Sequence, residues 1–287
     1  MVEIIPLWLV NLLSFVTVFT VMTSIGTTIS PSEFLAHLRA PFLLIRALIG
    51  VLLVVPAVGF ATAFAFGLTL PEKVGVALMA IAPGAPLALR RALSSGADVY
   101  FAPTLQISVA ILALPAMPLW VLIGNWLLGT HGFVDVIAVG KQICLAQLLP
   151  LALGAAVKRI APRMGDRIGT TVGQVGAVLL LLAIVSQVVD LHSIILAARL
   201  WPMAAAAVTT LAALYAGHVL AGPSPAARQA AAIAGALRNV GLALLVAAVN
   251  RTPPVVQEVI VSYWIAAFVI VTIYILLRGR TRLETST

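Results

Sequence analysis

Polar and charged side chains stand inside several apolar stretches of this sequence. Arg238 lies near the centre of residues 226–249 with Asn239 beside it, while Arg90 and Gln106 occupy other apolar stretches. A guanidinium stays protonated at any accessible pH, and placing one at mid-bilayer costs ~2.5–3.5 kcal/mol on insertion scales. Guanidinium and amide groups donate hydrogen bonds in a geometry that suits a carboxylate or sulfonate. We therefore predict that these four residues contribute to a site for an anion.

Each of these side chains also has a structural interpretation. Arg238 could cap helix ends by donating to free carbonyls, and Asn239 could bond exposed backbone. Gln106 could bond a neighbouring helix. Adjacent helical residues point about 100° apart, so we expect one of Arg90 and Arg91 to reach lipid headgroups and the other to face the interior. For Arg238 we favour the functional role because burying its charge is costly; for the others both roles stay open.

Two apolar segments contain residues that interrupt helices. One carries two prolines and a glycine, and the other has a glycine on each side of Arg238. Proline removes a backbone donor and clashes with the preceding turn, so a membrane helix breaks there only where other groups satisfy its backbone. We predict a break in each segment, formed by Pro83, Gly84, Pro86, Gly235 and Gly241.

The composition requires a membrane setting for these elements. Of the 287 residues, 62% are hydrophobic and 9% are charged, and the mean hydropathy is +1.14. Such values exclude an ordinary soluble domain, and apolar runs of roughly 20–30 residues predict an all-α polytopic protein in the lipid bilayer. The net charge of +8 is mostly loop charge, so we expect no nucleic-acid partner. The single cysteine, Cys144, excludes a disulfide framework and a thiol metal site, and we expect no cofactor.

Turn-forming residues divide the chain into nine predicted transmembrane helices. Loops on the side of the C-terminus carry nine basic residues against four on the other side, which predicts a cytoplasmic C-terminus and an external N-terminus. The first apolar run lacks a basic n-region and a cleavage site, so we expect a retained span. Without a long hydrophilic stretch, residues 1–287 form one membrane domain. The predicted helices are Ile4–Thr28, Pro41–Leu70, Val74–Leu93, Tyr100–Leu128, Val134–Val157, Thr170–Val189, Ile194–Leu220, Ala226–Val249 and Val255–Leu277.

The two halves of the chain place their helix breaks at corresponding positions. The first repeat covers about residues 1–130 and the second about residues 133–287, and the second enters the membrane from the opposite side. Paired Gly/Pro-interrupted segments in inverted halves point to the binding site of a secondary transporter. We therefore predict an inverted-repeat secondary-transporter fold with two broken helices that cross.

Three stretches resemble the bile acid:sodium symporter family, which also includes transporters of other organic anions. Residues 82–86 and the turn at residues 96–99 are similar to the family's Pro-Gly-Gly segment and its Gly-Asp/Asn turn. Residues 104–106 continue the same alignment without a gap. Residues 237–243 look like the family's Gln-Asn-Ser-Gly-Leu-Ala segment. The resemblance extends over nearly the whole chain through its span order. It implies two inverted repeats of five spans, one span more than we predict here.

Most of the family's sodium ligands are replaced in this sequence. The family uses a Ser-Asn pair, hydroxyls on the next helix, and a Glu and a Gln on the second broken helix. The positions that align with them are Ala88, Leu89, Ala102, Gln106, Ala234 and Arg238. Only Gln106 offers a side-chain oxygen, whereas Na⁺ needs a cage of oxygens, so we do not expect sodium coupling. Arg238 would supply a tethered positive charge instead.

Together these observations predict a secondary carrier for a small organic anion, bile-acid- or carboxylate-like, that works by alternating access. We expect an integral protein of a bacterial inner membrane and not an enzyme. A non-transporting sensor or scaffold on a carrier fold is the alternative. An intramembrane enzyme is less favoured, because the sequence has no clustered Asp residues and no His-Glu-x-x-His motif, and the Gly-Asp pair at residues 165–166 lies in a basic loop.

Overall fold

The computed structural model describes residues 7–28, 34–35, 41–129, 134–188 and 200–284, and every element in these ranges is helical. Six helices in this part of the chain are long and apolar enough to cross a membrane. The helices are α1 (Leu7–Gly26), α2 (Pro41–Ala65), α3 (Leu70–Ile81), α4 (Pro86–Ser94), α5 (Phe101–Leu127), α6 (Val136–Ile160), α7 (Pro162–Val188), α8 (Leu200–Leu220), α9 (Pro225–Ala236), α10 (Val240–Val249) and α11 (Pro254–Glu284).

The protein is therefore an all-helical membrane protein, as the sequence predicts. The count of nine spans and the inverted repeat stay predictions. The start of the first predicted span, the end of the sixth and the start of the seventh lie outside the described residues. The third predicted span is divided between α3 and α4, and the eighth between α9 and α10.

The first broken helix follows directly from its sequence. At the start of α3, the Thr69 amide donates to the Glu72 carboxylate at 2.8 Å, which completes a capping box. α3 ends before Pro83, whose missing N–H cannot continue the helix. Gly84 then takes a φ of +78°, a conformation that favours glycine, and Pro86 begins α4 with its φ already suited to a first helical position.

The second broken helix is interrupted by different residues from those predicted. Gly235 lies inside the last turn of α9, and Gly241 lies inside the first turn of α10. Neither has a positive φ. The break consists of residues 237–239, and it is possible there because the Asn239 side chain caps α10 by accepting from the Leu242 amide at 3.1 Å.

Gly241 matters for packing rather than for backbone freedom. A Cβ added there would lie 2.9 Å from a methyl group of Val18 on α1, which is closer than ordinary contact. At Gly235 the nearest atoms would lie 3.6 Å away, an ordinary distance. The prediction that both glycines form the break is therefore corrected: Gly241 permits the close approach of α1, and Gly235 has no such constraint.

Helix α1 connects the broken helices to the rest of the bundle. It packs against α6 and α7 on one side and against α10 on the other. Its approach to α6 is so close that a Cβ on Gly154 would overlap the Thr23 carbonyl. α8 packs against α9 and α11, and α3 packs against α11. The two breaks lie in the buried centre of the protein, where α1, α2, α5 and α11 surround them.

Candidate functional site

The two helix breaks lie directly against each other. The backbone N–H of Asn239, in the second break, donates to the backbone carbonyl of Ala82, in the first break, at 2.9 Å. A second link joins α9 to the end of α4, where the Gln229 side chain donates to the Ser95 carbonyl at 2.9 Å and contacts its hydroxyl at 2.8 Å. Gln229 is buried. Free backbone groups of one broken helix are thus satisfied by the other, which allows both breaks to exist inside the membrane.

Arg238 joins three elements through its guanidinium. The side chain is only 1% exposed, and it donates to the Met79 carbonyl at 3.4 Å and to the Val51 carbonyl at 3.1 Å. It also donates to the Ala80 carbonyl. Met79 and Ala80 belong to the last turn of α3, where carbonyls lack helical partners and the helix dipole is negative. Val51 belongs to the π-helical turn Gly50–Val54 of α2.

This geometry matches the capping role that the sequence left open for Arg238. All three guanidinium nitrogens are engaged with backbone carbonyls. The group compensates the negative end of α3 and fixes the second break against α2 and α3. Direct contact between its guanidinium and a substrate stays a prediction.

A small cavity opens beside the crossing. Its walls are mostly apolar and come from α1, from both breaks and from α11. They are formed by Thr17, Val18, Val21, Ala85, Leu87, Leu237, Arg238, Asn239, Val240, Gly241 and Trp264. Apolar walls with a few polar groups are typical of small-molecule sites.

Asn239 supplies a free hydrogen-bond donor at this cavity. The residue is 4% exposed, and its Oδ1 is committed to capping α10. Its Nδ2 is buried and has no hydrogen-bond partner among the described residues. A buried donor without a partner costs about 1–3 kcal/mol, so a native protein rarely keeps one unless something else binds it. The first turns of α4 and α10 border the same cavity and add the positive ends of two helix dipoles.

The remaining predicted site residues lie away from this cavity wall. Gln106 is buried, and its side-chain nitrogen, which has no partner in the described part of the chain, lies behind the first break near Gly84. The Arg91 guanidinium lies 4.4 Å from the ring centre of Phe268, and it donates to the Thr272 hydroxyl at 2.9 Å. Arg90 does not line the cavity; it is exposed on a different side of α4 from Arg91, one turn after Leu87. The two arginines thus point in different directions, as the helical geometry predicts.

Several wall residues were not predicted from the sequence. Thr17, Val18 and Val21 of α1 resemble lipid-facing residues in composition, and their role emerges only because α1 packs on α10. Trp264 is a single aromatic residue in an apolar span. Its indole packs on Phe268 with ring centres 5.3 Å apart. An aromatic residue with a polar edge in mid-span is the only feature of the sequence that could have indicated this wall.

A buried hydroxyl contact joins α2 to α8. The Thr62 and Thr209 hydroxyls lie 2.9 Å apart, and both residues are buried. The hydroxyls of Thr209 and Thr210 also donate to the carbonyls of Ala205 and Ala206, one turn earlier on α8. Because these hydroxyls find partners inside the bundle, they help to hold α2 and α8 in a defined arrangement.

Comparison with known proteins agrees with this architecture. Residues 15–199 match the family described as "Sodium Bile acid symporter family". Human "Sodium/bile acid cotransporter 4" is 29% identical over 150 residues, which are 51% of this chain and 34% of the human protein. The rabbit (Oryctolagus cuniculus) "Ileal sodium/bile acid cotransporter" is 26% identical over 184 residues, which are 63% of this chain and 53% of the rabbit protein.

The rat (Rattus norvegicus) "Sodium/bile acid cotransporter 4" is 28% identical over 152 residues, or 51% of this chain and 34% of that protein. The alignments therefore span about a third to a half of the length of these curated relatives. The family match covers more than half of the present chain and confirms the resemblance that the motifs indicated. The chain belongs to the sodium bile acid symporter family of membrane transporters.

Proposed function

We propose that this protein is a secondary carrier of a small organic anion and that the cavity beside the crossing is its binding site. The observation that carries the proposal is the Asn239 Nδ2, a buried donor without a partner among the described residues, on a side chain that lines the cavity together with the first turns of α4 and α10. A carboxylate or sulfonate oxygen supplies the missing acceptor, and the two helix dipoles stabilise its charge.

The apolar walls define the rest of the ligand. Val18, Leu237 and Trp264 are apolar, and the guanidinium of Arg238 is engaged with backbone carbonyls, so we expect a molecule with its charge at one end and an apolar body at the other. The names of the relatives refer to bile acids, which share this amphipathic form. The cavity is narrow in the arrangement described here, so a larger ligand requires the surrounding helices to move apart.

The Arg238 geometry supports a carrier that does not require sodium. Carbonyl oxygens at the end of a broken helix are the groups that would coordinate a free cation, and here a guanidinium occupies two of them, those of Met79 and Ala80. The aligned positions Ala88, Leu89, Ala102 and Ala234 offer no side-chain oxygen. A tethered cation supplies charge but cannot dissipate an ion gradient. We therefore expect uniport, exchange or proton-coupled movement of the anion.

The carrier is proposed to work by alternating access, with α1 and its neighbours α6 and α7 moving against the broken helices. α1 contacts α4 only slightly and packs more closely on α10, so such a movement would mainly rearrange the contact between α1 and α10. We propose nine spans, a cytoplasmic C-terminus and a bacterial inner-membrane location, on the basic-residue distribution and span lengths of the sequence.

Counterflow in proteoliposomes tests the proposal. Vesicles are loaded with unlabelled anion, and uptake of the labelled form is followed with a panel that includes acetate, benzoate and cholate, each with and without Na⁺ and a pH gradient. We expect counterflow of at least one monoanion in Na⁺-free buffer and none of the matching uncharged amide. Uptake that occurs only with Na⁺ contradicts the proposed coupling. Specific binding without any flux would instead support a sensor.

A further inference from the structure

Arg90 lies one helical turn from the cavity, on the same side as its lining residues. On α4, Leu87 lines the cavity, and Arg90 follows three residues later on the same face. On α1, Val21 lines the cavity, and Ser24 follows at the same spacing. On each helix, the later residue lies closer to the C-terminal end than the residue that lines the cavity. Ser24 and Arg90 therefore stand between the cavity and the end of the bundle where α1 and α4 terminate.

These two side chains meet on a single glycine of α7. A Cβ added to Gly173 would overlap both the Arg90 guanidinium and the Ser24 hydroxyl. The Ser24 hydroxyl donates to the Gly169 carbonyl at 2.7 Å, one turn earlier on α7. Gly173 thus forms a notch that receives a guanidinium. We call Ser24, Arg90 and Gly173 the arginine mouth.

The Arg90 charge is available, unlike those of the neighbouring arginines. Arg91 is engaged with Thr272 and Phe268, and Arg238 is engaged with backbone carbonyls. Arg90 is exposed, and no acceptor among the described residues hydrogen-bonds its guanidinium. The mouth therefore presents five N–H donors and a full positive charge beside an apolar cavity.

We propose that the arginine mouth is a second anion site, where a carboxylate or sulfonate binds Arg90 before entering or after leaving the cavity, and where cations are repelled. The role of this second site in transport rests on the proposed function, whereas its selection of anions over cations does not. Arg238 then fixes the broken helices, Asn239 binds the anion in the cavity, and Arg90 selects its charge at the entrance.

Thiol labelling measures this selection without knowing the substrate. Cys144 is first replaced by alanine, and Leu87→Cys places a reporter on the cavity wall beyond the mouth. The detergent-solubilised full chain is treated with two methanethiosulfonates of similar size, one bearing a sulfonate and the other a trimethylammonium group. The ratio of their second-order rates is divided by the same ratio for free mercaptoethanol, so that intrinsic reactivity cancels.

We expect the anion-to-cation ratio to exceed one and to fall about tenfold in Arg90→Gln, because removing one nearby charge slows the anionic reagent and speeds the cationic one. Arg91→Gln removes the same charge one residue away and is the matched control, with a change of less than about twofold. Equal effects of the two substitutions, or none with Arg90→Gln, overturn the proposal.

A second reporter, Val21→Cys, shows whether the rate ratio depends on the position of the cysteine, because Val21 lines the cavity from α1 and Leu87 lines it from α4. If neither cysteine reacts, no route passes the mouth and the proposal is wrong. The labelling result is separable from the carrier assay. Loss of counterflow for every anion with an intact rate ratio refutes the carrier alone, whereas counterflow with an insensitive ratio refutes the mouth alone.

Discussion

Replacing Arg238 by methionine removes a charge and three hydrogen bonds while keeping most of the side-chain volume. The guanidinium bonds to the carbonyls of Met79, Ala80 and Val51, and all of these contacts lie in the buried centre of the bundle. In Arg238→Met the carbonyls at the end of α3 lose a charged donor, and the Met79 carbonyl keeps only the Ala82 backbone N–H at 3.2 Å. We expect a folded but less stable protein.

The expected size of the effect follows from two opposing contributions. A hydrogen bond to a charged group contributes about 1.5–3 kcal/mol, so three of them contribute about 4.5 kcal/mol at the lower limit. Methionine also removes the cost of holding a cation in the membrane interior, which is about 2.5–3.5 kcal/mol on insertion scales. With the lower values of both, the free energy of unfolding falls by about 2 kcal/mol.

The assay is denaturant unfolding in mixed micelles, followed by tryptophan fluorescence. The matched control is Arg46→Met, since Arg46 makes a single hydrogen bond to the Val219 carbonyl at 3.1 Å near the end of α8 and should lose less than about 1 kcal/mol. If the free energy of unfolding of Arg238→Met lies within about 0.5 kcal/mol of the wild-type value, the interpretation of Arg238 as a structural cation is refuted.

A smaller variant separates the charge from the packing. Arg238→Ala leaves three carbonyls around a space the size of a guanidinium. Millimolar guanidinium, far below denaturing concentrations, should restore part of the lost thermal stability, because it offers the same planar set of donors. The same concentration of NaCl should not. Equal recovery with both salts would contradict a site shaped for guanidinium.

Four other substitutions test the packing around the crossing and the cavity wall. Gly241→Ala should lower the melting temperature because its Cβ would lie 2.9 Å from Val18, whereas Gly235→Ala, with ordinary contacts, should leave it unchanged or higher, as calorimetry can measure. Gln229→Leu removes the tie between α9 and Ser95, and we expect denaturant unfolding to show a loss of about 1–2 kcal/mol; an unchanged midpoint argues against that link. Trp264→Ala removes an aromatic wall, so the half-saturating concentration of benzoate in counterflow should rise about tenfold while that of acetate changes little.

The first helix break was predictable because local chemistry determines it. Pro83 cannot donate to the preceding turn, and Gly84 adopts a conformation that other residues avoid. The second break was predicted in the right segment but from the wrong residues. Glycine is only one way to interrupt a helix, and here α9 ends before Leu237 and the Asn239 side chain caps the start of α10.

The partners of Arg238 could not be predicted from the sequence. Val51 is 187 residues away along the chain, and its carbonyl is directed inward only because α2 contains a π-helical turn there. The cost of a buried charge indicated that Arg238 matters, but it did not distinguish a substrate from a backbone partner. The α1 side of the cavity was equally hidden, since residues such as Val18 carry no chemical signature until their packing is known.

Counterflow by an Asn239→Asp variant tests the central claim most directly. Aspartate has nearly the same shape and is an equally good helix cap, so α10 should keep its first turn, but the Nδ2 donor is replaced by a second acceptor oxygen. The wild type is predicted to exchange a monoanion such as benzoate or cholate in Na⁺-free proteoliposomes, and the variant to lose at least tenfold in apparent affinity. Exchange of equal affinity by both proteins would contradict an anion site at Asn239.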